Sequence, residues 1–149
     1  MIALGSDHAG FSLKEEIKKY LEDKGIAYKD YGCYSPERFD YAVAAKRACD
    51  GIISGECERA ILCCGTGIGI SMAANKVKGI RAAACTNYFG AKYTRAHNDA
   101  NVLCLGERVI GAGLALELVE VFLTTEFEGG RHQTRIDQIA AIENGEAIE

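Results

Sequence analysis

Hydrophobic residues in this chain fall into two alternating patterns: short, nearly unbroken apolar runs, and longer segments with apolar positions every three or four residues. Ile2 to Ser6 is the first short run and predicts a buried strand. Ser12-Leu13-Lys14-Glu15 has the form of a capping box. The helix expected after it carries Leu13, Ile17, Tyr20 and Leu21 on one face and stops at Gly25. Ile26 to Tyr31 is a more polar strand, suited to a sheet edge. Past the single proline, Pro36, Asp40 is the expected N-cap of a helix reaching about Ser54.

The second half repeats the alternation. Ala60 to Cys64 predicts a strand buried on both faces, followed by Gly65-Thr66-Gly67-Ile68-Gly69 and a helix from Ile70 to Lys76. Gly79 to Cys85 is a fourth strand, Asn87 caps a helix running to about His97, and Asn101 to Leu105 is a fifth strand. Leu114, Leu118, Val121 and Phe122 mark another helix, and Gly129-Gly130 precedes a last one from Arg131 to Glu143. Strand and helix in alternation predict one α/β domain over residues 1–149, with a parallel sheet between two helical layers. Ligands of such sheets bind at the carboxyl ends of the strands. Asp7-His8, Cys64-Gly65 and the loops near His97 and Arg108 are therefore expected to gather there.

Composition narrows the setting. A net charge of -4 argues against a general nucleic-acid or anionic-membrane surface, while leaving room for a local arginine cluster that binds a small anion. The start of the chain has no basic flank and is not a signal peptide, and the uncharged stretch from Ala60 to Asn75 is too short to span a bilayer. Seven cysteines, an odd number with several inside apolar runs, read as reduced thiols of a cytosolic protein. They contain no C-x-x-C pair and imply no zinc site.

Candidate chemistry centres on Cys64. It ends a strand and precedes a glycine loop and a helix N-terminus, which favours a thiolate, a potential nucleophile or base. Cys63, Cys85 and Cys104 read as buried apolar residues. The loop is neither a dinucleotide fingerprint, since no acid follows at the ribose-binding distance, nor a P-loop, since no lysine follows the last glycine. It is either a tight turn or a set of amides for a phosphate or a developing oxyanion. His8 beside Asp7 suits ligand contact. His97 at a helix end is explained as well by capping as by chemistry, and His132 reads as exposed on a polar face. Arg131 and Arg135, one turn apart, form either a clamp or a solvated face.

Six stretches, in order, resemble the type B ribose-5-phosphate isomerases and the related allose- and galactose-6-phosphate isomerases. They are Gly5 to Phe11, Asp40-Tyr41, Cys64 to Gly69, Ala73 to Lys76, His97 to Asn101, and Gly130 to Gln133 with Arg135. The resemblance implies a Rossmann-like three-layer α/β/α sandwich with a five-stranded parallel sheet and a C-terminal helix. It implies a homodimer, sometimes a tetramer, with sites shared between subunits. It also implies interconversion of an aldose phosphate and its ketose through a cis-enediolate, with no metal or other cofactor. On this basis Cys64 is the base, and Thr66 with the amides of Gly65, Thr66, Gly67, Ile68 and Gly69 holds the enediolate. His97 helps open the sugar ring, Asp7, Tyr41 and Asn98 surround the sugar, and His8, Arg108, Arg131 and Arg135 bind phosphate and nearby hydroxyls. A branch of the family uses an acid just after the glycine loop. Here that position is Ile70, which favours Cys64. Cys63 and Ala42, where a proline often follows Asp-Tyr, depart from the family pattern.

The expected substrate is ribose 5-phosphate. A six-carbon phosphosugar such as allose 6-phosphate, or a free aldose, is the near rival, because one extra carbinol is a small difference for a pocket. A flavodoxin-like nucleotide-binding module and a non-catalytic dimerisation domain are the rivals from other classes.

Overall fold

Five parallel strands form the centre of the computed structural model, which describes residues 1–149. The elements run β1 (Ile2–Ser6), α1 (Phe11–Asp23), β2 (Tyr28–Asp30), α2 (Tyr41–Ile53), β3 (Arg59–Cys64), α3 (Ile68–Ala74), β4 (Ala82–Ala84), α4 (Tyr88–Ala96), β5 (Val102–Gly106), α5 (Ala112–Thr124) and α6 (Arg131–Glu143). The sheet order is β2-β1-β3-β5-β4, so β2 is the expected edge strand. Between β1 and β3 the connections leave in opposite directions, and this is the switch point of the fold.

Alternation along the strands divides the core in two. Leu4, Ile61, Cys63, Leu103 and Leu105 pack with Leu13, Ile17, Leu21, Leu118 and Phe122 from α1 and α5. On the other face, Ala3, Leu62, Cys64, Val102 and Cys104 pack with Ala44, Ala45 and Ala48 of α2 and with Ile70 and Ala74 of α3. The three alanines present a flat surface that brings α2 close to the sheet. Adjacent strand residues alternate sides, so Cys63 and Cys64 enter different halves of the core, as their adjacency predicts. No helix is long and apolar enough to cross a membrane.

Three local expectations change. The capping box is not formed: α1 starts at Phe11, with Gly10 rather than Ser12 at the N-cap. Gly10 lies against β3, where a Cβ would come within 2.4 Å of the Cys63 carbonyl, and this close approach starts the helix early. Its free amides find distant acceptors instead. Asp7 Oδ1 takes the Gly10 N–H at 2.9 Å and Glu107 Oε1 takes that of Leu13 at 2.6 Å. Asp40 stands at the N-cap of α2 without a side-chain bond, whereas Asn87 caps α4 by accepting from the Gly90 N–H at 2.7 Å. Helix α3 begins at Ile68, two residues before the expected start, because Gly67 adopts φ 77° and lets the chain enter the helix at once.

Candidate active site

β3 ends with the Cys64 side chain, 4% exposed, under the glycine loop. The Gly67 N–H donates to Cys64 Sγ at 3.1 Å, so the sulfur is held by the backbone at the mouth of the loop. Other thiols of the core are kept protonated by burial. Burial pushes Cys63 and Cys104 far up, Cys85 to about 11 and, in α2, Cys49 to about 12. Cys63, Cys85 and Cys104 are buried packing groups, as the sequence indicates, and Cys49 is another.

Two of the five loop amides are already engaged, since Gly67 donates to Cys64 Sγ and Ile68 donates to Thr66 Oγ1 at 3.1 Å. The N–H groups of Gly65, Thr66 and Gly69 have no acceptor within the chain. Of the five loop amides, three are therefore free to meet a ligand. The Gly67 donor supports the sulfur, and the Ile68 donor fixes the Thr66 hydroxyl. Gly106 makes the arrangement possible, because a Cβ there would stand 2.5 Å from the Thr66 carbonyl carbon.

Around this loop lie the ends of β1 and β5. The Arg108 N–H donates to the Gly65 carbonyl at 3.0 Å, and a Cβ on Gly65 would touch the Arg108 guanidinium at 3.5 Å. Asp7 is buried and spends one oxygen on Gly10. His8 Nδ1 lies 3.2 Å from both the N–H and the carbonyl oxygen of Phe39, which leaves Nε2 of this exposed ring for a ligand. The Tyr41 ring lies against Gly69, where a Cβ would approach it to 3.0 Å. Asp7, His8, Tyr41, Cys64, the glycine loop and Arg108 thus share one edge of the sheet.

The remaining candidates do not join them, which for the loop near His97 is contrary to expectation. His97 ends α4, a helix that runs back from the carboxyl edge, and stands five residues before β5 begins. The Asn98 carbonyl accepts from Arg81 Nε–H at 2.9 Å, beside the start of β4. Both belong to the amino edge. A five-residue strand is about 17 Å long, so this edge is a strand's length from Cys64 within one chain. Arg131 and Arg135 begin α6 close by and are exposed, with Arg135 Nη1 donating to the Arg131 carbonyl at 2.9 Å. Between them His132 corrects the sequence reading: it is buried, its ring stacked on His97 with centroids 4.0 Å apart.

Sequence reasoning missed Glu128, whose Oε2 lies 3.2 Å from His97 Nε2. Its signal was the pair Gly129-Gly130, both at positive φ, which turns the chain back on α4. His97, Glu128 and His132 bring donor atoms within 4.8 Å of one another. The two rings lie only 12° from parallel, so their lone pairs do not converge on one ion in this arrangement.

A family model described as Ribose/Galactose Isomerase matches residues 2–139. Ribose-5-phosphate isomerase B of Escherichia coli is 48% identical over 142 residues, covering 95% of each chain. The structure of a ribose-5-phosphate isomerase B from Clostridium thermocellum superposes with a TM-score of 0.95 at 51% identity, covering 97% of both chains. A 4-deoxy-4-sulfo-D-erythrose isomerase from a Clostridium species is 47% identical over 127 residues, 85% of this chain and 80% of that protein. The glycine loop, the strand order and these similarities agree, and the chain belongs to the ribose/galactose isomerase family.

Proposed function

We propose that this protein interconverts ribose 5-phosphate and ribulose 5-phosphate, with Cys64 as the base. The observation that carries the reading is the sulfur at the end of β3, held by the Gly67 N–H beside three free amides. The thiolate takes the proton from C2 of the open-chain aldose as the C1 carbonyl becomes an enediolate. The N–H groups of Gly65, Thr66 and Gly69 stabilise the oxygens where charge develops. Sulfur then returns the proton to C1 while the C2 hydroxyl gives up its own proton and becomes the ketone. The hydroxyl of Thr66, fixed by Ile68, is placed for the exchange between the two oxygens. His97 serves ring opening, Asp7, Tyr41 and Asn98 surround the sugar, and His8, Arg108, Arg131 and Arg135 hold the phosphate.

These roles require both edges of the sheet at one substrate, and one chain separates them. The working unit is a homodimer in which His97, Asn98, Arg131 and Arg135 of one subunit meet the Cys64 loop of the other. Seven unpaired thiols fit a reducing, cytosolic setting. The relative that acts on a sulfonated tetrose makes acid group and chain length the points to test.

Mixing is the decisive experiment. Cys64→Ala and His97→Asn proteins are each expected to be nearly inactive on ribose 5-phosphate. Unfolded and refolded together, they form mixed dimers with one intact site, restoring about a quarter of wild-type activity. No recovery despite proven mixed dimers would place both residues in a site within one subunit. A wild-type enzyme that converts the sulfonated tetrose or a six-carbon phosphosugar but not ribose 5-phosphate would overturn the substrate assignment.

A further inference from the structure

The chain holds Glu128 against His97 by its backbone. Gly129 and Gly130, with φ of 67° and 58°, reverse the chain ahead of α6, and the Glu128 N–H donates to the Ala96 carbonyl at 2.9 Å. This bond fixes Glu128 beside the last turn of α4, where its carboxylate reaches His97 Nε2 at 3.2 Å. The imidazole is also held by its neighbours. His132 stacks on it at 4.0 Å, and the Tyr93 ring meets it at 4.8 Å and 51°. His97 nevertheless keeps 35% of its side chain exposed. With Nε2 facing the carboxylate, Nδ1 is the nitrogen left for a ligand.

We propose that Glu128 is a positioning residue for sugar-ring opening, its carboxylate orienting His97 so that Nδ1–H faces the ring oxygen of the bound furanose. The proposal rests on the ring-opening role of His97 given above. In the step itself, the bond from C1 to the ring oxygen breaks and that oxygen takes the Nδ1 proton. The C1 hydroxyl releases its proton to solvent as the carbonyl forms, and water reprotonates the imidazole. After the transfer, the neutral ring keeps its Nε2 proton next to Glu128, so the carboxylate supports the same orientation before and after.

Other charges around His97 are consistent with this assignment. Glu128 and His132 lie against His97, and Arg131 and Arg135 act on the stacked His132. Burial, and then the nearness of His97 and Arg131, lower the pKa of His132, whose Nε2 has no hydrogen-bond partner. His132 therefore stacks as a neutral ring, and Glu128 is the one anion among these groups. Glu128 acts through His97, and its effect therefore falls on the step before proton abstraction.

The test compares two substrates and one isotope effect. Glu128→Gln is expected to lower kcat/KM for ribose 5-phosphate by about tenfold or more. For an aldotetrose 4-phosphate, whose C4 oxygen is esterified so that no furanose closes, the loss should be under about twofold, since general acid help is not needed. In the same variant, the primary isotope effect with ribose 5-phosphate deuterated at C2 should fall towards unity, because ring opening has become the slow step. A general loss of folded enzyme would lower both substrates equally and leave the isotope effect unchanged, and that outcome overturns the proposal, as does unaltered activity. A wild-type enzyme inactive on every aldose phosphate would instead sink the isomerase reading itself.

Discussion

The two edges of the sheet carry different kinds of machinery. At the carboxyl edge the working groups are set by backbone: a strand end, a loop whose amides are aimed by glycine conformations, and a sulfur held by one N–H. At the amino edge they are side chains at helix ends, held by a stack of rings and a carboxylate. The first is embedded in the core. The second hangs on α6, which buries only His132 and Ile136. A proton moved between adjacent carbons tolerates little displacement, so its base belongs on the rigid edge. Phosphate capture and ring opening act over longer, charged contacts and suit adjustable side chains.

The sharpest way to break this division is to remove each of the two neighbouring thiols in turn. Cys64→Ala should lower kcat by at least the ~10²–10⁴-fold of a lost general base, with the fold intact by circular dichroism. Cys63→Ala faces the other half of the core and should retain nearly full activity while losing about 1 kcal/mol of stability. Comparable activity in the two variants would end the role given to Cys64.

At the amino edge the expected effect is on binding. Arg131→Ala and Arg135→Ala should each raise KM for ribose 5-phosphate by roughly 10–100-fold, the worth of a hydrogen bond to a charged group. For unphosphorylated ribose the change should be negligible. Steady-state kinetics on both sugars decide the matter, and an equal change in both would remove the arginines from the phosphate site.

The same contrast explains what could be read from the chain. At the carboxyl edge, Cys64 to Gly69 was legible because these residues are contiguous and follow a strand–loop–helix grammar: Cys64 at a strand end, and glycines where a turn needs them. The sheet was legible for a similar reason, since buried parallel strands must be apolar throughout. The capping box failed because tertiary contacts outbid a local one, with Gly10 pressed onto β3 and Glu107 supplying the acceptor. The amino edge was only partly legible. His97, Glu128 and His132 come from the end of one helix, a connecting turn and the start of another. Nothing in their spacing reveals a stack of rings. His132 reads as exposed because it lies between Arg131 and Arg135 on a polar face, yet a single turn of helix can hide one residue between two exposed ones. The path of α4 mattered most, since its direction moves His97 to the edge opposite Cys64.

The smallest expected effect tests whether the stacked ring at the amino edge is neutral, as its burial requires. An unfolded histidine titrates near 6.5, and burial followed by the charges of His97 and Arg131 lowers the pKa of His132 below that value. Between the folded and unfolded pKa values the unfolded chain binds more protons, so stability rises with pH across that window. The contribution is present above the unfolded value and is lost as the solution is acidified through it. Thermal melting of the wild type and of His132→Phe, from about pH 7 to about pH 5, isolates this group, because phenylalanine keeps the stack and removes the titration. The wild-type Tm should fall more steeply on acidification than that of the variant, the two curves running parallel only near neutrality. Parallel curves over the whole range would mean that folding leaves the His132 pKa unshifted, and the stack would then not hold this ring neutral as the solution is acidified.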